Sequence, residues 1–161
     1  MSANGAAERA AMPVEFTIDG RPVTGQAGEP ILAVAKRHGI EIPHLCYKEG
    51  LRPDGNCRAC VVEIAGERVL APSCCRSATA GLEVKADSAR AKASQKMVLE
   101  LLLSDRPAEA RTAQSELDHW AARLEAKPGR FPGREQPAGD LSHPAIAVNL
   151  DACIQCTRCV R

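Results

Sequence analysis

The sequence predicts an α+β chain: a small mixed-sheet domain with one helix packed over it, then a helical segment, then a cysteine-bearing stretch. Three observations carry this. Residues 14–24 and 61–70 alternate apolar and polar side chains around Asp19-Gly20 and Gly66-Glu67, the pattern of half-buried hairpins. A short apolar run at 31–35 lies between Pro30 and Gly39, residues that start and stop helices. From residue 88 the spacing becomes helical, with Met97, Val98, Leu101 and Leu102 on one face.

In chain order, residues 1–12 are Ala-, Gly- and Glu-rich without periodicity and predict a disordered tail. The first hairpin pairs 14–18 with 21–24, and the short helix follows. An irregular loop runs from 44 to 60, then a second hairpin pairs 61–64 with 68–70, and a short strand covers 82–84. Residues 13–87 therefore form the predicted sheet domain. Helices at 88–104 and 108–126 come next, separated by Pro107, the second with Leu117, Trp120 and Leu124 on one face. Residues 127–142 read as a Pro/Gly strap, and 143–161 as a short β-like segment running into a cysteine cluster.

Composition excludes several functions. Lys and Arg number 21 against 20 Asp and Glu, a net charge of +1 that offers no bulk attraction to nucleic acid or anionic lipid. The aromatic residues are Phe16, Tyr47, Trp120 and Phe131, too few for base stacking. No apolar run approaches membrane-spanning length, and Glu8 and Arg9 stand where a signal peptide needs an apolar core. The expectation is a soluble, cytoplasmic chain with neither nucleic acid nor membrane as partner.

Eight cysteines in 161 residues are the informative feature, because in a reducing compartment patterned cysteines read first as metal ligands. Cys46, Cys57, Cys60 and Cys74 are spaced C-x10-C-x2-C-x13-C. Two thiolates from the short pair and two distant ones supply four ligands. The small residues Gly50, Gly55, Asn56 and Ala59 let backbone N–H groups approach inorganic sulfide. Zinc is the alternative, although zinc sites usually pair two short knuckles and only one is present. Lys48, Arg52 and Arg58 read either as cations offsetting an anionic cluster or as a solvated loop face. Cys74 and Cys75 are adjacent, so only one points comfortably at a shared centre, and spacing leaves the choice open.

The string IPHLCYKEGLRPDGNCRACVVEIAGERVLAPSCCR resembles the N-terminal 2Fe–2S domain of large redox subunits: respiratory NADH dehydrogenase, iron-only hydrogenases and NAD-dependent formate dehydrogenases. The resemblance implies a β-grasp ferredoxin-like fold. It also implies Cys74, the first cysteine of SCCR, as fourth ligand beside Cys46, Cys57 and Cys60.

In the respiratory subunit and many hydrogenases the following helix leads into an H-x3-C-x2-C-x5-C motif holding a 4Fe–4S cluster. Here Arg106, Ala110, Ala113 and His119 occupy those places, so that cluster is not expected. SELDHW and LSHPAIAVNLDACIQCTRCVR then resemble the alpha subunit of soluble molybdenum- or tungsten-containing, NAD-dependent formate dehydrogenase. Cys153, Cys156 and Cys159 form C-x2-C-x2-C, the opening of a bacterial 4Fe–4S ferredoxin motif whose next cysteine would lie beyond Arg161. The expectation is the incomplete start of a 4Fe–4S domain within a longer subunit.

The resemblance implies an electron relay between a molybdopterin centre in the remainder of that subunit and a flavin/NAD-binding iron–sulfur partner subunit. The alternatives are the front end of an NADH dehydrogenase or hydrogenase, and a zinc-stabilised interaction module. No nucleophile–base pair, phosphate loop or pterin-binding segment is evident, so no catalytic residue is assigned. His38 and His119 read as surface or packing residues, while His44 and His143 stay open.

Overall fold

The structure is a computed structural model that describes residues 12–106, 115–135, 138–150 and 153–161. The predicted tail at 1–12 falls outside these except for Met12, as do Pro107 and the first seven residues of the second predicted helix.

Strands β1 (Pro13–Ile18) and β2 (Arg21–Gln26) form the predicted hairpin, turning through Asp19 and Gly20 at φ 50° and 74°. Two positive φ angles match the right-handed strand twist, which is why Asp-Gly serves there. Helix α1 (Ile31–Arg37) starts after Pro30 and buries Ile31, Leu32, Val34 and Ala35. Strands β3 (Val61–Ile64), β4 (Ala71–Pro72) and β5 (Glu83–Lys85) complete a five-stranded sheet of order β2-β1-β5-β3-β4. The β1–β5 pairing is parallel and the others antiparallel, so the sheet is mixed, with one helix against it. The helix lies close: a Cβ on Gly25 would meet Val34 Cγ2 at 2.7 Å.

The second hairpin departs from the sequence reading. Val61 and Val62 pair with Pro72 and Ala71 rather than with 68–70, and Val69 is exposed. The Gly66 turn forms as expected, but the chain rejoins the sheet later, and Pro72 is tolerated because β4 is an edge strand.

Helix α2 (Ala89–Ser104) is capped by Ser88 Oγ, which accepts from Ala91 N at 3.2 Å. Its buried face is Ala91, Gln95, Leu99, Glu100 and Leu103. The expected face of Met97, Val98, Leu101 and Leu102 is corrected: Met97 and Leu101 are exposed and the other two only half-buried. Gln95 explains the rotation, since its Nε2 donates to Val61 O at 2.9 Å and ties that face to β3.

Of the helix expected over 108–126, the part within the described residues forms α3 at Glu116–Arg123. Ser115 is extended and closes a reciprocal capping box with Asp118, which starts the helix there. Residues 107–114 lie outside the described residues. The strap contacts α2 through Arg130–Glu100 at 3.0 Å, and the boundary expected between 142 and 143 falls inside an exposed hairpin of β6 (Asp140–His143) and β7 (Ile146–Val148).

Two apolar cores result. One joins the sheet to α1; the other joins the 45–59 loop to α2 and α3 through Leu45, Leu99, Leu103, Leu117 and Trp120.

Candidate metal centre

The first cysteine set lies where the two cores meet. Cys60 and Cys74 pack in the sheet core, Cys46 and Cys57 in the helical core, and each is at most 8% exposed. Cys60 precedes β3, and its carbonyl accepts from both Ser73 N (3.1 Å) and Ser73 Oγ (2.7 Å). The start of α1 holds the same turn, with Leu32 N donating to Ser73 O and Ile31 N to Arg76 O. This seats Cys74 inward, fully buried, while Cys75 is exposed with its sulfur 3.6 Å from that of Cys74. Gly55, at φ 67°, makes room for Cys75, whose sulfur would lie 2.9 Å from a Cβ there. Position 55 therefore needs glycine for both backbone and space.

The sulfurs interact in sequence, Cys57 with Cys46, Cys46 with Cys74, and Cys74 with Cys60. Hydrogen bonds from the Cys57 and Cys74 thiols hold the Cys46 thiol far below the usual thiol range, and backbone N–H groups of Cys57 and Asn56 add to this. The Cys60 thiol is lowered to about 7, chiefly by Cys74, with Cys74 N–H and the Ser73 hydroxyl assisting. Cys57 and Cys74 are pushed upward, first by donating to these neighbours and then by burial. Cys46 N also donates to Cys57 Sγ at 3.4 Å. Backbone N–H groups aimed at buried sulfur are what an anionic thiolate centre requires. Of the small loop residues Gly50, Gly55, Asn56 and Ala59, Asn56 and Ala59 direct a backbone N–H at a cysteine sulfur.

Lys48, Arg52 and Arg58 are exposed, which favours the solvated reading of that face. His44 bonds Ile42 O at 2.8 Å through Nδ1, and its ring lies 5.7 Å from that of Trp120, a packing role. His38 caps α1 and reaches Thr24 O, His119 is exposed beside Trp120, and His143 is exposed in β6. Arg106, at the place of a ligand histidine in related motifs, is paired with Asp118 of the α3 capping box. Ala110 and Ala113 lie outside the described residues.

The second set is different. Cys153 and Cys156 are half-buried and Cys159 is exposed, just ahead of and within a 3-10 turn at Arg158–Val160. Cys156 packs against the helical core that holds Cys46 and Cys57. Among the described residues no group of three or more His, Cys, Asp or Glu side chains, in either cysteine set, is arranged to hold a single metal ion. Sequence reasoning missed Gln95 as the residue that sets α2 on β3. A polar residue four positions after Ala91 and four before Leu99 was the available signal.

Residues 11–89 match the family described as 2Fe-2S iron-sulfur cluster binding domain. The chain is 34% identical over 155 residues to the mitochondrial NADH-ubiquinone oxidoreductase 78 kDa subunit of Candida albicans, covering 92% of this chain and 22% of that protein. It is 38% identical over 159 residues to the NADP-reducing hydrogenase subunit HndD of Solidesulfovibrio fructosivorans, covering 89% of this chain and 26% of that subunit. A solved NAD+-reducing [NiFe]-hydrogenase in the H2-reduced state superposes with a TM-score of 0.81 at 28% identity, covering 91% of this chain and 64% of the matched one. The chain thus spans about a quarter or less of the length of several curated relatives that it matches. Among the described residues no helix is long and apolar enough to cross a membrane. Residues 11–89 are therefore a 2Fe–2S iron–sulfur cluster binding domain, homologous to parts of NADH-quinone oxidoreductase and hydrogenase subunits.

Proposed function

We propose that the chain is the iron–sulfur electron-transfer module of an NAD-dependent formate dehydrogenase subunit, relaying electrons between a molybdopterin site elsewhere in that subunit and a flavin/NAD-binding partner. The observation that carries the electron-transfer reading is the row of four buried, mutually bonded thiols with backbone N–H groups turned toward sulfur. Cys46, Cys57, Cys60 and Cys74 would hold a 2Fe–2S centre, which supplies one-electron transfer when bound. The protein's part is to bury the sulfurs, donate hydrogen bonds to them, and keep Cys75 outside. Cys153, Cys156 and Cys159 would contribute to a 4Fe–4S centre that needs a further ligand. Formate dehydrogenase is favoured over its relatives by Arg106, Ala110, Ala113 and His119, which cannot supply the histidine and three cysteines of a middle cluster.

A second reading, the front end of an NADH dehydrogenase or hydrogenase, is favoured by the similarity to subunits of those names. Cytoplasmic location belongs to the first reading. The chain is purified anaerobically and assayed for iron, acid-labile sulfide, visible absorption and an EPR signal on reduction. About two irons and two sulfides per chain are expected from the first set alone, and a colourless zinc-bearing chain would sink the electron-transfer reading. Formate-dependent NAD reduction by the native complex separates the two redox readings.

A further inference from the structure

Arg161 occupies a place that neither cysteine set explains. Its half-buried guanidinium donates to Cys46 O at 2.6 Å, to Cys156 O at 3.1 Å and to Arg52 O, while Nε reaches Thr157 O at 3.4 Å. One cation therefore bonds the peptide of a first-set cysteine and the peptide of a second-set cysteine at the same time.

Neighbouring bonds hold the same joint. Arg158 donates to Tyr47 O at 2.8 Å and pairs with Glu116 at 2.6 Å. Thr157 Oγ1 donates to Asp54 Oδ2 at 2.7 Å, and Asn56 Nδ2 donates to Gln155 O. Every one of these joins residues about a hundred positions apart or, for Arg158–Glu116, two otherwise separate elements.

We propose that Arg161 is a positioning residue that staples the two cysteine loops together and sets a fixed positive charge beside the first. A guanidinium suits this because its planar fork serves several carbonyls at once and stays protonated. A lysine keeps the charge but cannot hold the same set. Charge and geometry can thus be separated by substitution. A cation beside Cys46 favours whichever state of the site carries more negative charge, and in a 2Fe–2S centre that is the reduced one.

The inference rests on the electron-transfer reading only for its effect on potential. Arg161→Lys and Arg161→Gln are made in the full chain. In the metal-free proteins, amide exchange over 46–57 should accelerate about tenfold or more in both, the loss of a charge-assisted hydrogen bond. In the iron-loaded proteins, the midpoint potential of the first centre should move to lower values in Arg161→Gln and stay near the parent's in Arg161→Lys. Unchanged exchange in Arg161→Lys overturns the staple, whether or not Arg161→Gln retains iron. Equal potentials in the parent and a loaded Arg161→Gln overturn the charge effect. A parent chain that binds no iron defeats the electron-transfer reading instead, and the exchange measurement still decides the staple.

Discussion

The two cysteine sets are held by different means. The first is set by a sheet, a helix terminus and two cores, so its sulfurs are buried and receive backbone N–H groups before any ligand arrives. The second rides on a short turn with exposed or half-buried thiols, attached through side-chain bonds from Thr157, Arg158 and Arg161. Preorganisation separates them: one loop gains its geometry from the fold, the other from being docked.

The largest effect should come from ligand loss. Cys60→Ser is expected to abolish the 2Fe–2S absorption and EPR signal, because this sulfur is buried and bonded to Cys74 within the first set. Cys156→Ser should leave that signal in place. If both substitutions erase it, the sets are not independent in assembly.

Next comes the adjacent pair. Cys74→Ser should reshape or remove the EPR signal, whereas Cys75→Ser should leave it as in the parent, since Cys74 is buried beside Cys60 and Cys75 is exposed. The reverse outcome would move the fourth ligand to position 75.

Leu99→Ala tests whether the helical core supports the Cys46–Cys57 side. Leu99 is fully buried on α2, and truncation should cost about 2–5 kcal/mol in denaturant unfolding. Cluster retention should fall with it. Met97→Ala on the exposed face should change stability by no more than about 0.5 kcal/mol, and equal losses would show that the buried face is misassigned.

The smallest effect concerns the α3 cap. Hydrogen bonding from Ser115, with help from Arg106, holds the Asp118 carboxyl below its ordinary value. Its contribution is therefore present above the unfolded-state pKa and lost as pH falls through the lower folded value. Ser115→Ala should cost about 1 kcal/mol near neutral pH. The gap between the parent and this variant should narrow in acid, as read by thermal unfolding across pH. A constant gap would remove Asp118 from the cap.

Much of the fold was legible because its signals are local. Asp19-Gly20 requires the turn it makes, Pro30 and Gly39 bracket α1, and Ser88 caps α2. The reading failed where a long-range bond outweighed local pattern. Gln95 looks out of place in an apolar helix until Val61 O is found 2.9 Å from it, and that bond rotates the buried face away from Met97 and Leu101. Ser115 starts α3 later than helical periodicity suggests, because its side chain takes up an N–H group of the first turn and its own backbone is extended.

The candidate site divides the same way. Thiol chemistry and spacing by themselves determined that cysteines 46, 57 and 60 belong with one near 74, because four sulfurs in that pattern have few other uses. Burial of Cys74 with Cys75 left outside, the placing of the first set between two cores, and the bond from Arg161 to both loops were decided only by tertiary structure. The physical reason is distance along the chain. Arg161 and Cys46 are 115 positions apart, and no local propensity links groups whose contact depends on how sheet, helices and loop pack together.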